Sequence, residues 1–422
     1  MSDNSSFRIL ILTQYFPPEI GAAQVRLYSV AQELKRRGHD VRVVTAMPNY
    51  PTGRIAPEYR RRWLVREELN GLPVVRTWIY PATGRNPIKR LASYWSFTLS
   101  AMRGCWAAGR PDYVMVESPP LFLGLTGYLY ARLRRSQLIF NVSDLWPESA
   151  RELGIITSRP LLAMAQRLAR FLYRHSDWVS AVTAGIAEAV AATDPRARIV
   201  SLPNSVDVDL FRAVPEPGPI EWIRPGEIAF VYAGTHGYVS GLDVIIEAAE
   251  RLAGRKDIVF LFVGDGADKP RLQELTNARG LQNVRFVPPQ PLQAMPALLS
   301  ACCASIVPLR RAEFFRRTLP AKILPSLACE TPVIHCGDGD AASLIEEARC
   351  GLVVPPERGD LLADAVLQLA ADGARARQLG ANGRRLVEER YVWSRAVDAW
   401  LARIVGDGRT AARPATRSVP GD

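Results

Sequence analysis

The chain has 422 residues, of which 48% are hydrophobic and 23% are charged. This length favours two domains over one core, and the composition is typical of a globular protein and excludes disorder throughout. The formal charge of +11 favours an anionic partner, which is a phosphate-rich ligand, an anionic membrane surface or nucleic acid.

The first α/β unit begins close to the N-terminus. Residues 7–13 are a continuous apolar run, which predicts a buried parallel strand. A loop at 14–23 and an amphipathic helix at 24–37 follow, and a second apolar strand is expected at 40–45. Strand, glycine-containing loop, helix and strand make one βαβ unit with a right-handed crossover. The same order predicts strands at 74–78, 113–116, 138–141, 178–182 and 199–202, and helices at 91–108, 121–134, 159–175 and 184–192.

A second series begins after residues 206–226, a segment with four prolines and little periodicity that predicts a linker. It opens as the first does, with an apolar strand at 228–233, a loop at 234–241 and a helix at 242–252. Further strands are predicted at 258–263, 284–287, 304–308, 331–335 and 351–354. Further helices are predicted at 268–279, 291–300, 320–329, 340–348 and 360–389.

Two such series predict two Rossmann-like, doubly wound α/β domains. We place the N-terminal domain at 1–205 and the C-terminal domain at 206–390. A tail at 407–422, rich in glycine, proline and arginine, is expected to be disordered.

Neither cysteine spacing nor hydropathy indicates a metal site or a membrane-spanning segment. None of the six cysteines has the pairing typical of zinc ligands, so we expect reduced thiols, no metal and no cofactor. The longest apolar stretch, 119–131, is shorter than the ~20 residues that cross a bilayer. The N-terminus is polar, so we expect a cytoplasmic protein that at most attaches to the inner face of the plasma membrane.

Ligands of open α/β sheets bind beyond the carboxyl ends of the strands, so the site residues are expected in the loops there. Gly21 and Ala22 open a predicted helix, where small residues and free N–H groups suit a diphosphate; a tight turn is the alternative. Gly234 and Thr235 follow the same logic in the second series. His236 beside them is either a donor to a phosphate or sugar hydroxyl, or a surface loop histidine.

Two further loops carry carboxylates. Asp265 and Gly266 follow an apolar strand at a sharp glycine turn, a motif that many α/β proteins share. Asp144 and Glu148 flank Trp146, and two carboxylates at this spacing can align a polyol or serve as a base for an acceptor. The alternative for Asp144 is the N-cap of a short helix.

Lys322 opens a predicted helix and is one of only five lysines in the chain. It is either a partner for phosphate or a solvated surface residue.

The segment 85–110 is of a different kind, because Trp95, Leu99, Met102 and Trp106 share one helical stripe. An interfacial helix on anionic lipid and a plain core-facing helix both fit this pattern. Five basic residues flank the stripe: Arg85, Lys89, Arg90, Arg103 and Arg110.

Several motifs in this chain have a known counterpart when they are taken in order. They are YFPPEIGAAQVR (15–26), GHDVRVVT (38–45), DLWPESARELG (144–154), LPNSVDVDLF (202–211), YAGTHGYVSGLDVIIEAAERL (232–252), FLFVGDGADKPRL (260–272), NVRFVPPQPLQAMPALLSAC (283–302), LPAKILPSLACETPVI (319–334) and EEARCGLVVPPE (346–357). The ordered set resembles glycosyltransferase family 4, particularly the bacterial members that build cell-surface polysaccharides such as O-antigen and colanic acid.

The resemblance implies a GT-B architecture, in which two Rossmann-like domains face each other across a cleft and a C-terminal helix, 391–406, returns to the N-terminal domain. It implies retaining, metal-independent transfer from a UDP- or GDP-sugar to a lipid-linked or saccharide acceptor. Asp144 and Glu148 would face the acceptor, His236 would line the phosphates, and Lys322 would neutralise phosphate charge. The resemblance assigns the donor to Gly21, Ala22, Gly234, Thr235, Asp265, Gly266, Val287, Pro288, Pro320, Ala321 and Leu324.

The chain departs from the family pattern at several positions, three of them at Arg317, Pro325 and Glu330. Many members carry glutamate three residues after the lysine and again eight positions earlier, where this chain has Pro325 and Arg317; Glu330 stands where a glycine is usual. These departures make a catalytically impaired GT-B binding protein one alternative. A GT-B sugar-nucleotide epimerase, which is close in fold, is another. Nucleic acid is not expected as a partner, because no recognition motif accompanies the charge.

Overall fold

A computed structural model describes residues 6–410 except 20, 51, 83–85, 153–155 and 157. The first lobe is built on an eight-stranded sheet in the order β3-β4-β2-β1-β5-β6-β7-β8, parallel except for β3. Its strands are β1 (Arg8–Leu12), β2 (Asp40–Ala46), β3 (Leu64–Leu69), β4 (Leu72–Thr77), β5 (Tyr113–Ser118), β6 (Gln137–Val142), β7 (Trp178–Ala181) and β8 (Ile199–Ser201). Its helices are α1 (Ala22–Arg36), α2 (Pro87–Ala108), α3 (Leu123–Arg134), α4 (Glu148–Glu152), α5 (Arg159–His175) and α6 (Ala184–Thr193).

The second lobe is built on a six-stranded parallel sheet in the order β11-β10-β9-β12-β13-β14. Its strands are β9 (Ile228–Ala233), β10 (Ile258–Val263), β11 (Val284–Val287), β12 (Ala304–Pro308), β13 (Val333–Cys336) and β14 (Gly351–Val354). Its helices are α7 (Asp243–Arg251), α8 (Lys269–Ala278), α9 (Met295–Ser300), α10 (Ile323–Ala328), α11 (Asp340–Ala348), α12 (Gly359–Ala371) and α13 (Gly373–Arg390).

The last helix, α14 (Trp393–Thr410), returns to the first lobe as the sequence predicted. The Trp400 indole is fully buried there and donates to the Ser180 hydroxyl on β7 at 2.8 Å. Arg37, which follows α1, donates to Asp398 on α14 at 2.7 Å. The rest of the predicted disordered tail, 411–422, lies outside the described residues.

The apolar sequence pattern of the strands follows from the burial of their side chains. The central strands β5 and β10 are buried along their whole length, which explains why they read as continuous apolar runs. Apolar side chains on both faces of each sheet form the hydrophobic cores of the two lobes. Two doubly wound lobes confirm the predicted fold class.

Three local features differ from the sequence predictions. The antiparallel strand β3 was not predicted, and neither was the short helix α4. The helix predicted at 360–389 is two helices, because Asp372 caps α13 by accepting from the Arg375 N–H at 2.9 Å. Within the described residues, no helix combines the length and apolarity of a membrane-spanning segment.

Candidate active site

The carboxyl edges of the two sheets face each other. Thr183 follows β7 in the first lobe, and its hydroxyl donates to the carbonyl of Arg317 in the second lobe at 2.8 Å. Nearby, the Gly185 N–H donates to the Asp340 carboxylate at 3.1 Å. Arg317 lies in the connection between β12 and α10, which also carries Lys322. Loops from both sheets therefore line one crevice, where α/β proteins bind their ligands.

Two glycine loops of the second lobe pack backbone to backbone. A Cβ on Gly264 would collide with the carbonyl oxygen of Gly234, and a Cβ on Gly266 would collide with that of His236. The His236 N–H donates to the Asp265 carbonyl at 2.8 Å. The structure thus brings the predicted residues of the β9 and β10 loops together, and only glycine fits at their contacts.

Lys322 lies directly beside these loops. Its Nζ donates to the Tyr232 hydroxyl at 2.8 Å and lies 4.1 Å from the centre of that ring. A Cβ built on Gly234 would be 3.3 Å from the same Nζ. Among the described residues, no carboxylate forms an ion pair with Lys322, so its charge is available to an anionic ligand. The alternative of a solvated surface lysine is not what the structure shows.

Two residues of this loop cluster were missed by sequence reasoning. The Tyr232 hydroxyl contacts both Lys322 and the Thr235 carbonyl, the latter at 2.7 Å, and so fixes the lysine against the loop. Lys269 donates from Nζ to the Gly264 carbonyl at 2.9 Å. Lysine is scarce in this chain, which is why Lys322 is a candidate site residue. The same scarcity makes Lys269 a candidate.

His236 is fully buried, which corrects the alternative of a surface histidine. Its ring packs among the rings of Tyr232, Phe262 and Phe286, with centroid distances of 5.8–6.3 Å. Neither ring nitrogen has a hydrogen-bond partner among the described residues. Burial and the nearby charge of Lys269 lower its pKa to about 4, so the imidazole is neutral at physiological pH. In this conformation the His236 ring packs on the hydrophobic side of its own loop and stabilises that loop.

Of the remaining predicted donor residues, some lie at the exposed edges of loops and others are buried in the core. The Val287 carbonyl accepts from the Gly264 N–H at 3.1 Å, and Pro288 follows it on the exposed edge. Ala321 is exposed beside buried Pro320. The Leu324 side chain is buried in the hydrophobic core below α10, so the predicted donor contact of this residue could involve only its backbone.

In the first lobe, α1 begins at Ala22 with Gly21 as its N-cap, so the predicted loop does end at a helix N-terminus. The first turn of α1 contains no acidic residue. Its N–H groups and the positive end of its dipole are therefore available to an anion.

Asp144 lies in the connection between β6 and α4, and Glu148 is the first residue of α4. Burial raises the pKa of Asp144 to about 7, and the nearby charge of Glu148 adds to this rise. Hydrogen bonds from the Ser149 side chain and the Leu145 N–H oppose the shift. Helix α4 begins at Glu148, four residues later, so Asp144 is not its N-cap. A carboxyl group that titrates near neutrality is suited to proton transfer or to orienting a hydroxyl.

Comparison with known proteins agrees with this architecture. Residues 21–205 match the glycosyl transferase 4-like domain, and residues 227–372 match glycosyl transferases group 1. The chain is 28% identical over 338 residues to WcaI of Escherichia coli K12, named as a colanic acid biosynthesis glycosyl transferase; the match covers 76% of this chain and 81% of WcaI. The chain belongs to glycosyltransferase family 4.

Solved structures share the fold of this glycosyltransferase at low sequence identity. Sucrose-phosphate synthase from Thermosynechococcus elongatus superposes with a TM-score of 0.76 at 18% identity, over 96% of this chain and 100% of that one. Anabaena HepE in complex with UDP and glucose superposes with a TM-score of 0.70 at 17% identity, over 95% and 100%. The comparisons favour a transferase over the binding protein and epimerase alternatives.

The three departures from the family pattern have distinct surroundings in this transferase. Pro325 lies in the first turn of α10 and provides no carboxylate there. The Arg317 side chain lies against Gly185 of the first lobe, where a Cβ would be 2.8 Å from its Cγ. Glu330 has a φ of 59°, a left-handed conformation that explains why glycine is usual at its position.

Proposed function

We propose that this transferase moves a sugar, with retention of anomeric configuration, from a UDP- or GDP-sugar to a lipid-linked or saccharide acceptor of a cell-surface polysaccharide. The placement of Lys322 against the glycine loops carries the proposal. That lysine is half-buried, donates a hydrogen bond to the Tyr232 hydroxyl and forms no ion pair with a described carboxylate. The name of WcaI supports a polysaccharide product, and the HepE complex supports a nucleoside diphosphate.

In the proposed reaction the anomeric C–O bond to the donor phosphate breaks and a bond to the acceptor oxygen forms on the same face. Negative charge develops on the departing diphosphate. Lys322 from the second lobe and the N–H groups beside Gly21 in the first lobe would stabilise that charge. Because these groups supply positive potential on both sides of the crevice, we expect no metal ion to be required.

Asp144 and Glu148 are proposed to hold the acceptor. The ionised Asp144 carboxylate would accept a hydrogen bond from the attacking hydroxyl and orient it, while the leaving phosphate oxygen takes the proton. No side-chain nucleophile is needed for retention by front-face attack. The pKa of about 7 means that Asp144 is half-ionised near neutral pH, so its environment sets the pH range of the reaction.

The 85–110 segment supports a peripheral location at the inner face of the plasma membrane. Of the predicted stripe, Trp95, Leu99 and Trp106 are exposed on α2, whereas Met102 is partly buried against the core. Exposure of three of the four residues favours the interfacial alternative over the core-facing one. Arg85 lies outside the described residues. Lipid contact itself is part of the proposal.

A panel of UDP-, GDP- and dTDP-sugars tests the proposed function. Each donor is first screened for a rise in melting temperature and then incubated with lipid-linked and saccharide acceptors. We expect one nucleotide class to stabilise the protein and to release its diphosphate when an acceptor is present. A protein that is stabilised by a donor but transfers to no acceptor would be a binding protein, and one that no donor stabilises would contradict the proposal.

A further inference from the structure

The first lobe has a pocket beside the loop that ends at Gly21. Its volume is about 630 Å³, within the range of cavities that hold small-molecule ligands. One wall consists of Pro18 and Glu19, from the loop before α1, and the other consists of residues of the segment 48–60, which joins β2 to β3. We call this cavity the β2 pocket. No described residue of the second lobe lines it, so the pocket is separate from Lys322 and the glycine loops.

Hydrogen bonds hold the two walls of the β2 pocket together. The Glu19 carboxylate is buried and accepts from the Asn49 and Tyr50 N–H groups, both at 2.8 Å. Behind the loop, the fully buried Arg76 guanidinium donates to the Pro17 carbonyl. The shape of the pocket is therefore fixed by the fold, and a ligand can bind without ordering its walls.

The positive charge of the chain belongs to the lobe that carries this pocket. Residues 1–205 contain 27 basic and 15 acidic side chains, a net charge of +12, whereas residues 206–390 contain 21 and 24, a net charge of −3. Within the pocket wall, residues 52–62 contain four arginines and one glutamate. A cleft lined by charge of one sign attracts ligands of the opposite sign, so this wall favours an anionic ligand.

Two of these arginines, Arg54 and Arg60, line the β2 pocket. Both are exposed, and among the described residues neither forms an ion pair with a carboxylate. The Arg60 Nε donates to the Ile55 carbonyl at 3.2 Å, which fixes this side chain at the pocket. Guanidinium groups bind phosphate and carboxylate through paired N–H···O bonds. The pocket therefore suits a ligand that carries one of these two anions.

Aromatic rings connect the β2 pocket with the predicted acceptor loop. The exposed Tyr50 ring at the pocket packs edge-on against Tyr15, with 5.9 Å between ring centroids. Burial raises the pKa of Tyr15, and nearby Tyr94 on α2 adds to the rise. The Tyr94 ring packs edge-on against Trp146 at 6.3 Å, and Trp146 lies two residues after Asp144. A saccharide held in the pocket could therefore extend along the crevice towards that carboxyl group.

We propose that the β2 pocket binds an acidic saccharide, which is a sugar of the acceptor that carries a phosphate or a carboxylate group. Arg54 and Arg60 would pair with the anionic group, and the Tyr50 ring would contact the apolar face of the sugar. The attacking hydroxyl would belong to a neighbouring sugar that reaches Asp144. The assignment of the ligand to the acceptor rests on the proposed function, whereas the binding of an acidic sugar does not.

Ligand-observed NMR titration tests the β2 pocket directly. Wild-type protein is titrated with a hexose 1-phosphate, a methyl hexuronide and a neutral methyl hexoside. We expect at least one acidic sugar to bind, and the neutral sugar to bind about tenfold more weakly or less. The acidic sugar that binds identifies the recognised anion as phosphate or carboxylate. Lys322→Ala protein should bind it as the wild type does, because the proposed donor contact lies elsewhere.

Variants of the pocket wall locate the binding. R54S/R60S removes both pocket arginines and should weaken the binding of the acidic sugar about tenfold or more. R61S/R62S is the matched control, because it removes the same charge from two exposed arginines of the segment that do not line the pocket. Its affinity should stay within about twofold of the wild type, since exposed charges outside the site are screened. A56F fills the pocket without changing its charge and should also weaken binding.

Equal affinity for acidic and neutral sugars would overturn the proposal, and so would failure of every sugar to bind. Equal losses in R54S/R60S and R61S/R62S would overturn it as well. The melting temperature checks that each variant is folded, and its shift with UDP or GDP reports donor binding separately. A protein that responds to a donor but binds no acidic sugar would reject only the pocket assignment. One that binds the acidic sugar but responds to no donor would reject only the proposed function.

Discussion

The two lobes of this transferase share one architecture but differ at their surfaces. Each opens with a strand, a glycine-containing loop and a helix, and each directs its strand ends at the common crevice. The second lobe is nearly neutral, whereas the first has a net charge of +12. Of the exposed large hydrophobic side chains among the described residues, most belong to the first lobe.

This contrast indicates a division of labour. A soluble nucleotide-sugar needs only a polar crevice, and the second lobe provides one in the glycine loops and Lys322. An acceptor at a membrane needs a lobe that can approach the membrane, and the first lobe has the surface for it. The two sides of this division can be tested separately by substitutions in each lobe.

The largest effect is expected from Lys322→Ala. The substitution removes the cation beside the glycine loops, and loss of one such stabilising group typically lowers the turnover number by about 10²–10³-fold. Initial rates of diphosphate release measure it. Lys256→Ala removes an exposed lysine of the same lobe and should change the rate little. A Lys322→Ala enzyme with near-normal turnover would contradict the donor-lobe assignment.

The acceptor lobe is tested by Asp144→Asn, for which we expect a loss of about 10²-fold in turnover. Because the pKa of Asp144 is raised to about 7, the carboxyl group is protonated below that pH and ionised above it. Wild-type activity should therefore rise as the pH increases through about 7, and this step should be absent in the variant. Donor-induced thermal stabilisation should be unchanged, since Asp144 is proposed to contact the acceptor and not the donor.

The contact between the two glycine loops is tested by Gly264→Ala. The new Cβ would collide with the Gly234 carbonyl at a positive φ of 132°, so we expect about 2 kcal/mol of destabilisation and weaker donor binding. Gly254 has no heavy atom within 4 Å of an added Cβ, and Gly254→Ala is the matched control. Urea denaturation measures both. Equal stability of the two variants would show that the loop contact is not tight.

The smallest effect is expected at Glu330, away from the crevice. Glu330→Gly restores the residue that the family pattern has there and relieves the left-handed backbone at φ 59°. We expect a gain of up to about 1 kcal/mol in the free energy of unfolding, with no change in turnover. A loss of stability would mean that the side chain makes contacts that outweigh the strain.

Most of the fold could be predicted from sequence, because buried parallel strands appear in the sequence as apolar runs and are followed by loops that contain glycine. Strand β3 was missed for the opposite reason. It pairs at the sheet edge, most of its side chains are partly exposed, and LVREEL contains no apolar run. The break between α12 and α13 depends on the Asp372 cap, a local signal that the long helical pattern conceals.

The loops that form the site could be predicted from sequence, but the surroundings of individual side chains in those loops could not. Strand order places Gly234 and Asp265 together, since β9 and β10 are neighbours. The burial of His236 depends on Phe286 from β11 and Tyr232 from β9, which no local motif reveals. The same holds for the exposure of the α2 stripe, because an amphipathic pattern does not show which face meets the core.

Lys322 and the glycine loops are proposed to bind the diphosphate of a nucleotide donor. Isothermal titration of wild-type and Lys322→Ala protein with UDP, GDP and the corresponding nucleosides measures this binding. We expect the wild type to bind one diphosphate far more tightly than its nucleoside, and the variant to lose this difference. If the wild type and the variant bind that diphosphate with equal affinity, the proposed role of Lys322 is wrong.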